Sequence, residues 1–238
     1  MKKTTVHQVT QLSFMPRLFP VNVYLVEEED GLTLVDAGMP FSLKGILKAA
    51  DSLGKPITRI LLTHAHGDHV GALDGLKEAL PSADVHISRR DQALLAGSLA
   101  LEEGEAQTPI KGDVPKNIRT KPDRLLTDGE RIGSLLAISS PGHTPGHMAF
   151  LDTRSNVLIA GDAFQIRGGM AVSGDIRPLF PFPAMATWNK NAALASARRL
   201  ADLKPSWLAV GHGRMLEQPA AALTRAVQRA EAAFREAN

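Results

Sequence analysis

Three histidines and an aspartate crowd into six residues of the stretch LLTHAHGDHVG, which begins at Leu61. Only 8 of the chain's 238 residues are histidine, so this density is not background. His64 and His66 are two residues apart and point to the same side of an extended segment, where both imidazoles can bind one ion. A glycine then allows a turn, after which Asp68 and His69 project in different directions. One short loop can therefore serve two neighbouring metal positions.

Three more candidate ligands follow apolar runs elsewhere in the chain, each beside a glycine. They are His143, Asp162 and His212. A lone histidine at the end of a strand is usually a satisfied polar residue, but packing does not explain the same arrangement at four strand ends. Histidine nitrogens and carboxylate oxygens are ligands that catalytic zinc accepts. Because the chain has no cysteine, thiolate metal sites, disulfides and a cysteine nucleophile are excluded.

The remaining histidines are expected to have other roles. His86 stands between Val85 and Ile87 in a strand pattern and is expected to be buried and hydrogen-bonded. His7 lies near the N-terminus. His147 comes four residues after His143 and is expected to be structural or to support a ligand.

The elements that must place these residues alternate between strand and helix patterns. Strands are predicted at 22–26, 32–35, 57–62, 85–87, 135–139, 148–152, 157–160 and 207–210. Apolar residues at helical spacing predict helices at 42–53, 70–80, 89–96, 187–203 and 219–237. Two successive sets of strands and helices favour a layered α/β fold with helices outside a mostly β interior. The pattern alone does not assign the strands to sheets.

Two segments lack clear periodicity. Residues 97–122 are polar and contain glycine and proline, so they are predicted to be an insertion or a lid within a single domain spanning 1–238. Residues 165–188 are apolar but rich in glycine and proline, which argues against a regular element. This segment is predicted to be a substrate loop that forms an acyl-binding wall, with packing under a loop or in a dimer interface as the alternative. Arg167 and Arg177 could pair with an anionic substrate group, or be solvated.

The composition limits the partners. Lys plus Arg is 27 against 25 for Asp plus Glu, a net charge of +2, so nucleic acid and anionic membranes are not expected. Polar residues interrupt the N-terminal stretch MKKTTVHQVTQLSF, which therefore does not look like a signal peptide. No run approaches the ~18 apolar residues of a transmembrane helix. A cytoplasmic enzyme with a small-molecule substrate, as a monomer or a homodimer, is the simplest interpretation.

The ordered set of motifs resembles the metallo-β-lactamase superfamily of hydrolases. The matching residues are the stretch THAHGDH at 63–69, His143, Asp162, His212 and the aspartate of VDAG, Asp36. The resemblance implies an αββα sandwich, in which two facing mixed β-sheets carry helices on both outer faces. Its two halves would be related by pseudo-symmetry, in line with the two sets of predicted elements.

Carried over residue by residue, the resemblance implies two divalent metal ions, zinc first, with iron or manganese as alternatives. His64, His66 and His143 would bind one ion, while Asp68, His69 and His212 would bind the other. Asp162 would bridge both, and Asp36 would orient a ligand. A hydroxide bridging the ions would attack a carbonyl carbon, with Asp68 as the catalytic residue that steers the nucleophile or carries a proton.

The sequence lacks features of some subfamilies, which narrows the substrates that are expected. Only 26 residues follow His212, too few for the glutathione-binding domain of a glyoxalase II. Acyl-homoserine lactonases are closest in size, but they place a tyrosine three residues after the bridging aspartate, where this chain has Gln165; its only tyrosine is Tyr24. A hydrolase of a small carboxylic ester, lactone or thioester is predicted. The alternatives are an iron-dependent oxidoreductase of the dioxygenase type, a phosphodiesterase, or a binding protein without turnover.

Overall fold

The computed structural model describes residues 1–236, and most of its strands lie in two mixed β-sheets. The first sheet has seven strands in the order of the chain: β1 (Lys2–Val6), β2 (Val9–Phe14), β3 (Val21–Glu27), β4 (Leu32–Val35), β5 (Ile57–Leu61), β6 (Asp84–Ser88) and β7 (Arg124–Leu126). The pairs from β1 to β4 are antiparallel, and those from β4 to β7 are parallel. Parallel strands need crossover connections. Helices form much of the connection from β4 to β5 and of the connection from β5 to β6.

The second sheet contains six strands from the later part of the chain. They are β8 (Arg131–Ile132), β9 (Leu135–Ser139), β10 (Met148–Asp152), β11 (Val157–Ile159), β14 (Trp207–Ala209) and β15 (Leu216–Glu217). Their order is β15-β14-β11-β10-β9-β8, in which only β11 and β14 are parallel. A separate hairpin pairs β12 (Phe164–Gln165) with β13 (Ala171–Val172).

Seven α-helices complete the described part of the chain. They are α1 (Leu43–Leu53), α2 (Gly67–Val70), α3 (Leu73–Ala79), α4 (Asp91–Leu95), α5 (Phe182–Met185), α6 (Lys190–Asp202) and α7 (Ala220–Arg235). Two short 3₁₀ helices lie at Pro40–Ser42 and Gly161–Ala163. None of the helices among residues 1–236 is both long and apolar enough to cross a membrane.

Three apolar clusters separate four layers. On β3, Val23 and Leu25 face the cluster shared with α1, α3 and α4, whereas Tyr24 and Val26 face the second sheet. On β10, Phe150 belongs to the cluster between the sheets. The third cluster lies between the second sheet and helices α6 and α7. This alternation of side chains produces helix, sheet, sheet and helix layers, which confirms the predicted αββα sandwich.

The predicted helices differ from the structure mainly at their ends. The helix expected at 70–80 is divided, because α2 ends at Val70 and α3 begins at Leu73. The helix expected from residue 187 begins at Lys190, since the Asn189 side chain caps it by accepting a hydrogen bond from the Ala192 N–H at 2.9 Å. The helix expected at 219–237 covers Ala220–Arg235, and residue 237 lies outside the described residues.

The structure adds elements that the sequence patterns did not predict. Strands β1 and β2 occupy the N-terminal stretch, and β2 is fully buried between its neighbours even though it contains Thr10, Gln11 and Ser13. Segment 165–188, expected to be irregular, contains part of a short hairpin and the one-turn helix α5. Segment 97–122 contains no helix or strand.

The prediction for His86 is wrong in one respect. The side chain is buried, 3% exposed, but neither ring nitrogen has a hydrogen-bond partner among residues 1–236. Burial lowers the pKa of His86 below its ordinary value of 6.5 and keeps the ring neutral. The strand pattern predicted the burial, but it did not show which polar groups would surround the ring.

Candidate metal centre

The seven predicted ligands meet where loops leave the same end of both sheets. The loop after β5 carries His64, His66 and the first residues of α2, whereas His143 lies between β9 and β10. Asp162 and His212 follow β11 and β14, the parallel pair of the second sheet, so the ends of these two strands are neighbours. Ligand atoms within each of three groups lie within 4.8 Å of one another: His64, His66 and His143; His64, His69 and Asp162; Asp68, His69 and His212.

Asp162 lies between the two sets of histidines. Its Oδ2 atom is 3.5 Å from Nε2 of His143 and 3.1 Å from Nε2 of His212, while Oδ1 is 3.5 Å from Nε2 of His69. Asp68 contacts only one set, with Oδ2 3.4 Å from Nε2 of His212. A Cβ atom on Gly211 would collide with Oδ1 of Asp162, which explains the glycine beside this carboxylate.

Two ring nitrogens face each other without a proton between them. Nδ1 of His66 lies 3.0 Å from Nε2 of His143. His66 donates its Nε2–H to the carbonyl oxygen of Lys111, so its Nδ1 carries a lone pair. The Thr187 hydroxyl donates to a backbone carbonyl oxygen, so Ser173 must donate to Thr187 and accept from Nδ1–H of His143.

Both facing nitrogens therefore present lone pairs, which repel unless a cation binds them. Two nitrogens bound at about 2.0–2.1 Å to a tetrahedral zinc ion would be about 3.3 Å apart, close to the distance observed.

A hydrogen-bond network fixes one histidine of each set through Asp36. Nδ1–H of His69 donates to Oδ2 of Asp36 at 2.8 Å. The Thr63 hydroxyl also donates to Asp36, so Thr63 accepts from Nδ1–H of His64 at 3.0 Å. Each ring then points its Nε2 atom into the site. Nε2 of His64, Nε2 of His69 and Oδ1 of Asp162 are buried and have no hydrogen-bond partner in the described part of the chain.

The pKa shifts divide the histidines into two groups, His64 with His143 and His69 with His212. Burial, reinforced by neighbouring imidazoles, holds the pKa of His64 well below 6.5, and burial does the same for His143. Burial also opposes charge on His69, but the carboxylates of Asp162, Asp68 and Asp36 outweigh it and raise its pKa to about 10. The same balance, led by Asp162, raises the pKa of His212. The carboxylate-rich half thus attracts positive charge, whereas the other half offers neutral nitrogens.

The remaining contacts hold the ligand loops in place. His212 donates its Nδ1–H to the carbonyl oxygen of Pro20 at 2.7 Å. His147 is buried, donates from Nδ1 to Ser140 and accepts the Asp162 N–H at Nε2, 3.1 Å away. These contacts are in line with the structural or supporting role predicted for His147.

Asp91 joins two ligand loops, and the sequence patterns missed it. Its buried carboxylate accepts hydrogen bonds from the Ala65 N–H at 3.2 Å, the Thr144 hydroxyl at 2.6 Å and the Gly146 N–H at 2.7 Å. Burial raises the pKa of Asp91 to about 6, although these hydrogen bonds act against the rise. The only signal in the sequence is an acidic residue at a predicted helix start, which is common there for other reasons.

A cavity of about 830 Å³ opens above the seven side chains. His66, Asp68 and His212 form part of its floor, and segment 97–122 contributes residues from Gly112 to Ile118 to one wall. Segment 165–188 contributes Phe182, Pro183, Met185 and Ala186 to the lining. The two segments are joined by the Trp188 indole N–H, which donates to the carbonyl oxygen of Thr108 at 2.8 Å.

Aromatic rings crowd the side of the cavity near His212. The ring centroid of Phe19 is 5.1 Å from that of Phe180, 5.2 Å from that of Phe182 and 5.3 Å from that of His212. Phe182 and the nearby Met185 are 52% and 64% exposed, although both line the cavity. Phe19 comes from the loop between β2 and β3 and was not predicted to reach the site.

Gln165 and Tyr24, the two residues compared with the lactonase tyrosine, do not line this cavity. Gln165 is buried and donates to the carbonyl oxygens of Arg167 and Phe180, each at 3.0 Å. Tyr24 is buried beneath the site and donates to the carbonyl oxygen of Val210 at 2.6 Å. Neither residue therefore reaches a substrate in this cavity as the lactonase tyrosine would.

Comparison with known proteins gives a consistent result. The sequence profile of the Metallo-beta-lactamase superfamily matches residues 16–212. The chain is 61% identical to the uncharacterized protein YobT of Bacillus subtilis, over 97% of this chain and 99% of YobT. It is 29% identical to the probable metallo-hydrolase YflN of the same organism, over 81% of this chain and 80% of YflN. The crystal structure of TTHA1623 in a di-iron-bound form superimposes with a TM-score of 0.64 at 31% identity, covering 89% of this chain and 96% of that one.

Proposed function

The chain belongs to the metallo-beta-lactamase superfamily, and from this premise we propose that it is a dinuclear metal-dependent hydrolase of a small carboxylic ester, lactone or thioester. The observation that carries the proposal is the 3.0 Å distance between Nδ1 of His66 and Nε2 of His143 at the base of a cavity, where the surrounding hydrogen bonds leave a lone pair on each nitrogen. When bound, a pair of divalent ions supplies Lewis acidity and a water whose pKa is about 7 instead of 15.7.

The seven side chains fit two adjacent ions. We assign His64, His66 and His143 to one position, and Asp68, His69 and His212 to the other, with Asp162 between them. Three buried atoms without hydrogen-bond partners support this division: Nε2 of His64, Nε2 of His69 and Oδ1 of Asp162. The carboxylates around His69 support it as well. Zinc is the first choice of metal, and the di-iron form of TTHA1623 keeps iron as the alternative.

Asp68 is the residue we assign to proton transfer. Its side chain is 22% exposed and lines the cavity, whereas the six other proposed ligands are at most 3% exposed. A carboxylate that reaches both the site and the cavity can orient a water and return its proton to the leaving oxygen or sulfur. Asp162 also lines the cavity, but it is only 3% exposed, so Asp68 is the more accessible of the two carboxylates.

The aromatic side of the cavity supports an apolar acyl group in the substrate. Phe19, Phe182 and Met185 present apolar surface beside His212, as the substrate-wall interpretation of segment 165–188 requires. Replacement Phe182→Ala is expected to raise KM about tenfold for a long-chain acyl ester and to leave an acetyl ester unchanged. Leu179→Ala is the matched control, because Leu179 lies in the same segment, is 84% exposed and does not line the cavity.

A panel of lactones, thioesters, phosphodiesters and β-lactams tests the reaction class. Purified protein loaded with zinc is expected to hydrolyse a lactone or thioester, to lose the activity with a chelator and to regain it with zinc. Turnover of phosphodiesters alone would contradict the proposal.

A redox enzyme on iron is the second candidate, which the di-iron form of TTHA1623 favours. Oxygen consumption by the iron-loaded protein, without ester hydrolysis by the zinc-loaded form, would establish it instead.

A further inference from the structure

A second cavity, of about 280 Å³, lies behind the loop that carries His212. Lys2 and Ser13 reach it from the paired strands β1 and β2, where they are register partners. Arg167 lines it from the segment after Asp162, and Arg214 lines it from the segment after His212. This cavity shares no lining residue with the larger one above the candidate metal centre.

The charge around the second cavity has one sign. Lys2, Arg167 and Arg214 line it, no carboxylate does, and none of the three forms an ion pair with any residue in 1–236. Arg167 also donates to the backbone carbonyl oxygen of Arg17, 2.6 Å away, which holds its guanidinium in place. Other arginines, such as Arg199 beside Asp128, are paired. In a chain of net charge +2, this concentration is local.

A buried hydroxyl adds a neutral donor to these cations. Ser13 is only 5% exposed and lines the cavity, yet its side chain has no hydrogen-bond partner in the described part of the chain. The backbone N–H of Gly213, which also lines the cavity, donates to no acceptor among the same residues. Both groups are free to donate to an oxygen-rich ligand in the cavity.

We propose that this cavity binds a phosphate group, either free or as part of a larger molecule. Three cations around a small cavity can neutralise the charge of a phosphate group, and the planar arginine fork can donate to two phosphate oxygens at once. The N–H groups of Ile166 and Arg167 donate to the carbonyl oxygen of His212 at 3.0 and 3.1 Å, so the bound group would lie against the loop that carries a proposed metal ligand. The proposal does not depend on the hydrolytic function.

Calorimetric titration of inorganic phosphate into the metal-loaded protein tests the site. The double variant Lys2→Gln, Arg214→Gln is expected to weaken phosphate binding at least about tenfold. Both side chains are exposed, and neither makes a hydrogen bond or an ion pair within residues 1–236, so the variant is expected to retain the melting temperature of the wild type. Arg225→Gln is the matched control, since Arg225 is an exposed cation on α7 outside the cavity.

Three results would overturn the proposal: no phosphate binding to the wild type, the same affinity in the double variant, or an equal loss in Arg225→Gln. Phosphate held by the metal ions would still bind to the double variant, so the comparison distinguishes binding in the second cavity from binding at the metal centre.

Turnover of an ester then identifies the source of the phosphate group. Competitive inhibition by phosphate that the double variant relieves assigns the group to the substrate. Binding without inhibition assigns it to a separate ligand. If no ester is hydrolysed, the proposed function is wrong, but the calorimetric titration still tests the phosphate site independently.

Discussion

Asp36 accepts a hydrogen bond from Nδ1–H of His69 at 2.8 Å and, through the Thr63 hydroxyl, also fixes the ring of His64. One carboxylate therefore orients a histidine in each half of the candidate metal centre. Its backbone φ of 63° is a left-handed conformation that asparagine also tolerates, so Asp36→Asn changes the charge with little backbone strain.

Asp36→Asn is expected to lower the affinity for both metal ions about 10- to 100-fold, because an NH2 group replaces one of the two oxygens that accept from His69 and Thr63. Titration against a competing chelator measures both affinities. An unchanged affinity, or a loss confined to one of the two ions, would contradict the shared role of Asp36.

Asp91→Asn is expected to separate the two loops that Asp91 joins. The asparagine amide would place an N–H group against the donors of Ala65 or Gly146, at a cost of about 1–3 kcal/mol in the free energy of unfolding. We also expect a metal affinity about tenfold weaker, since both loops carry ligands. Chemical denaturation and chelator titration give the two values.

Asp123→Asn is the control for Asp91. The Asp123 carboxylate also accepts a backbone hydrogen bond, from the Val85 N–H, but neither residue lies in a loop that carries a proposed ligand. It is expected to keep the metal affinity of the wild type. If Asp91→Asn also keeps that affinity, Asp91 has only a general role in stability.

Metal affinity is expected to rise with pH. His64 and His143 are already neutral, but the carboxylates hold a proton on His69, whose pKa is raised to about 10, and they also raise the pKa of His212. Metal ions must displace the proton on His69, so loading near neutral pH is expected to release at least about one of these protons per chain. Calorimetry in buffers of different ionisation enthalpy counts them. Loading with no proton release, or affinity that falls as pH rises towards 10, would contradict this charge distribution.

His86→Leu is expected to stabilise the protein by roughly 1 kcal/mol, because it removes two buried ring nitrogens without partners. The pKa of His86 is lowered in the folded state, so the unfolded chain binds the proton first, and stability falls as pH drops through 6.5. Leucine removes this contribution to acid sensitivity. His86→Gln, which keeps polar atoms in the strand, is expected to give no gain, and equal stabilisation by both would refute the explanation. Denaturation at pH 7 and pH 5 tests both statements.

The sequence predicted most of the centre because the ligands follow apolar strands. His64 and His66 have the spacing of an extended segment, and His143, Asp162 and His212 each stand beside glycine after an apolar run. The resemblance to a known superfamily then implied how the strands form two sheets, which the pattern alone did not give.

What the sequence could not show depends on contacts between distant segments. Strand β2 contains buried polar residues, so its alternation is hidden, and the loop after it brings Phe19 to the cavity. Asp91 lies far from Ala65 and Gly146 in the chain and meets them only after the sheets have packed. The lone donors around Ser13 likewise depend on β1 and on the loops after β12 and β14.

The most direct test of the dinuclear centre is anomalous X-ray diffraction from crystals of the metal-loaded protein. We expect two peaks, one among His64, His66 and His143 and the other among Asp68, His69 and His212, with the Asp162 carboxylate between them. A single peak, no peak at these side chains, or ions bound elsewhere would refute the dinuclear centre.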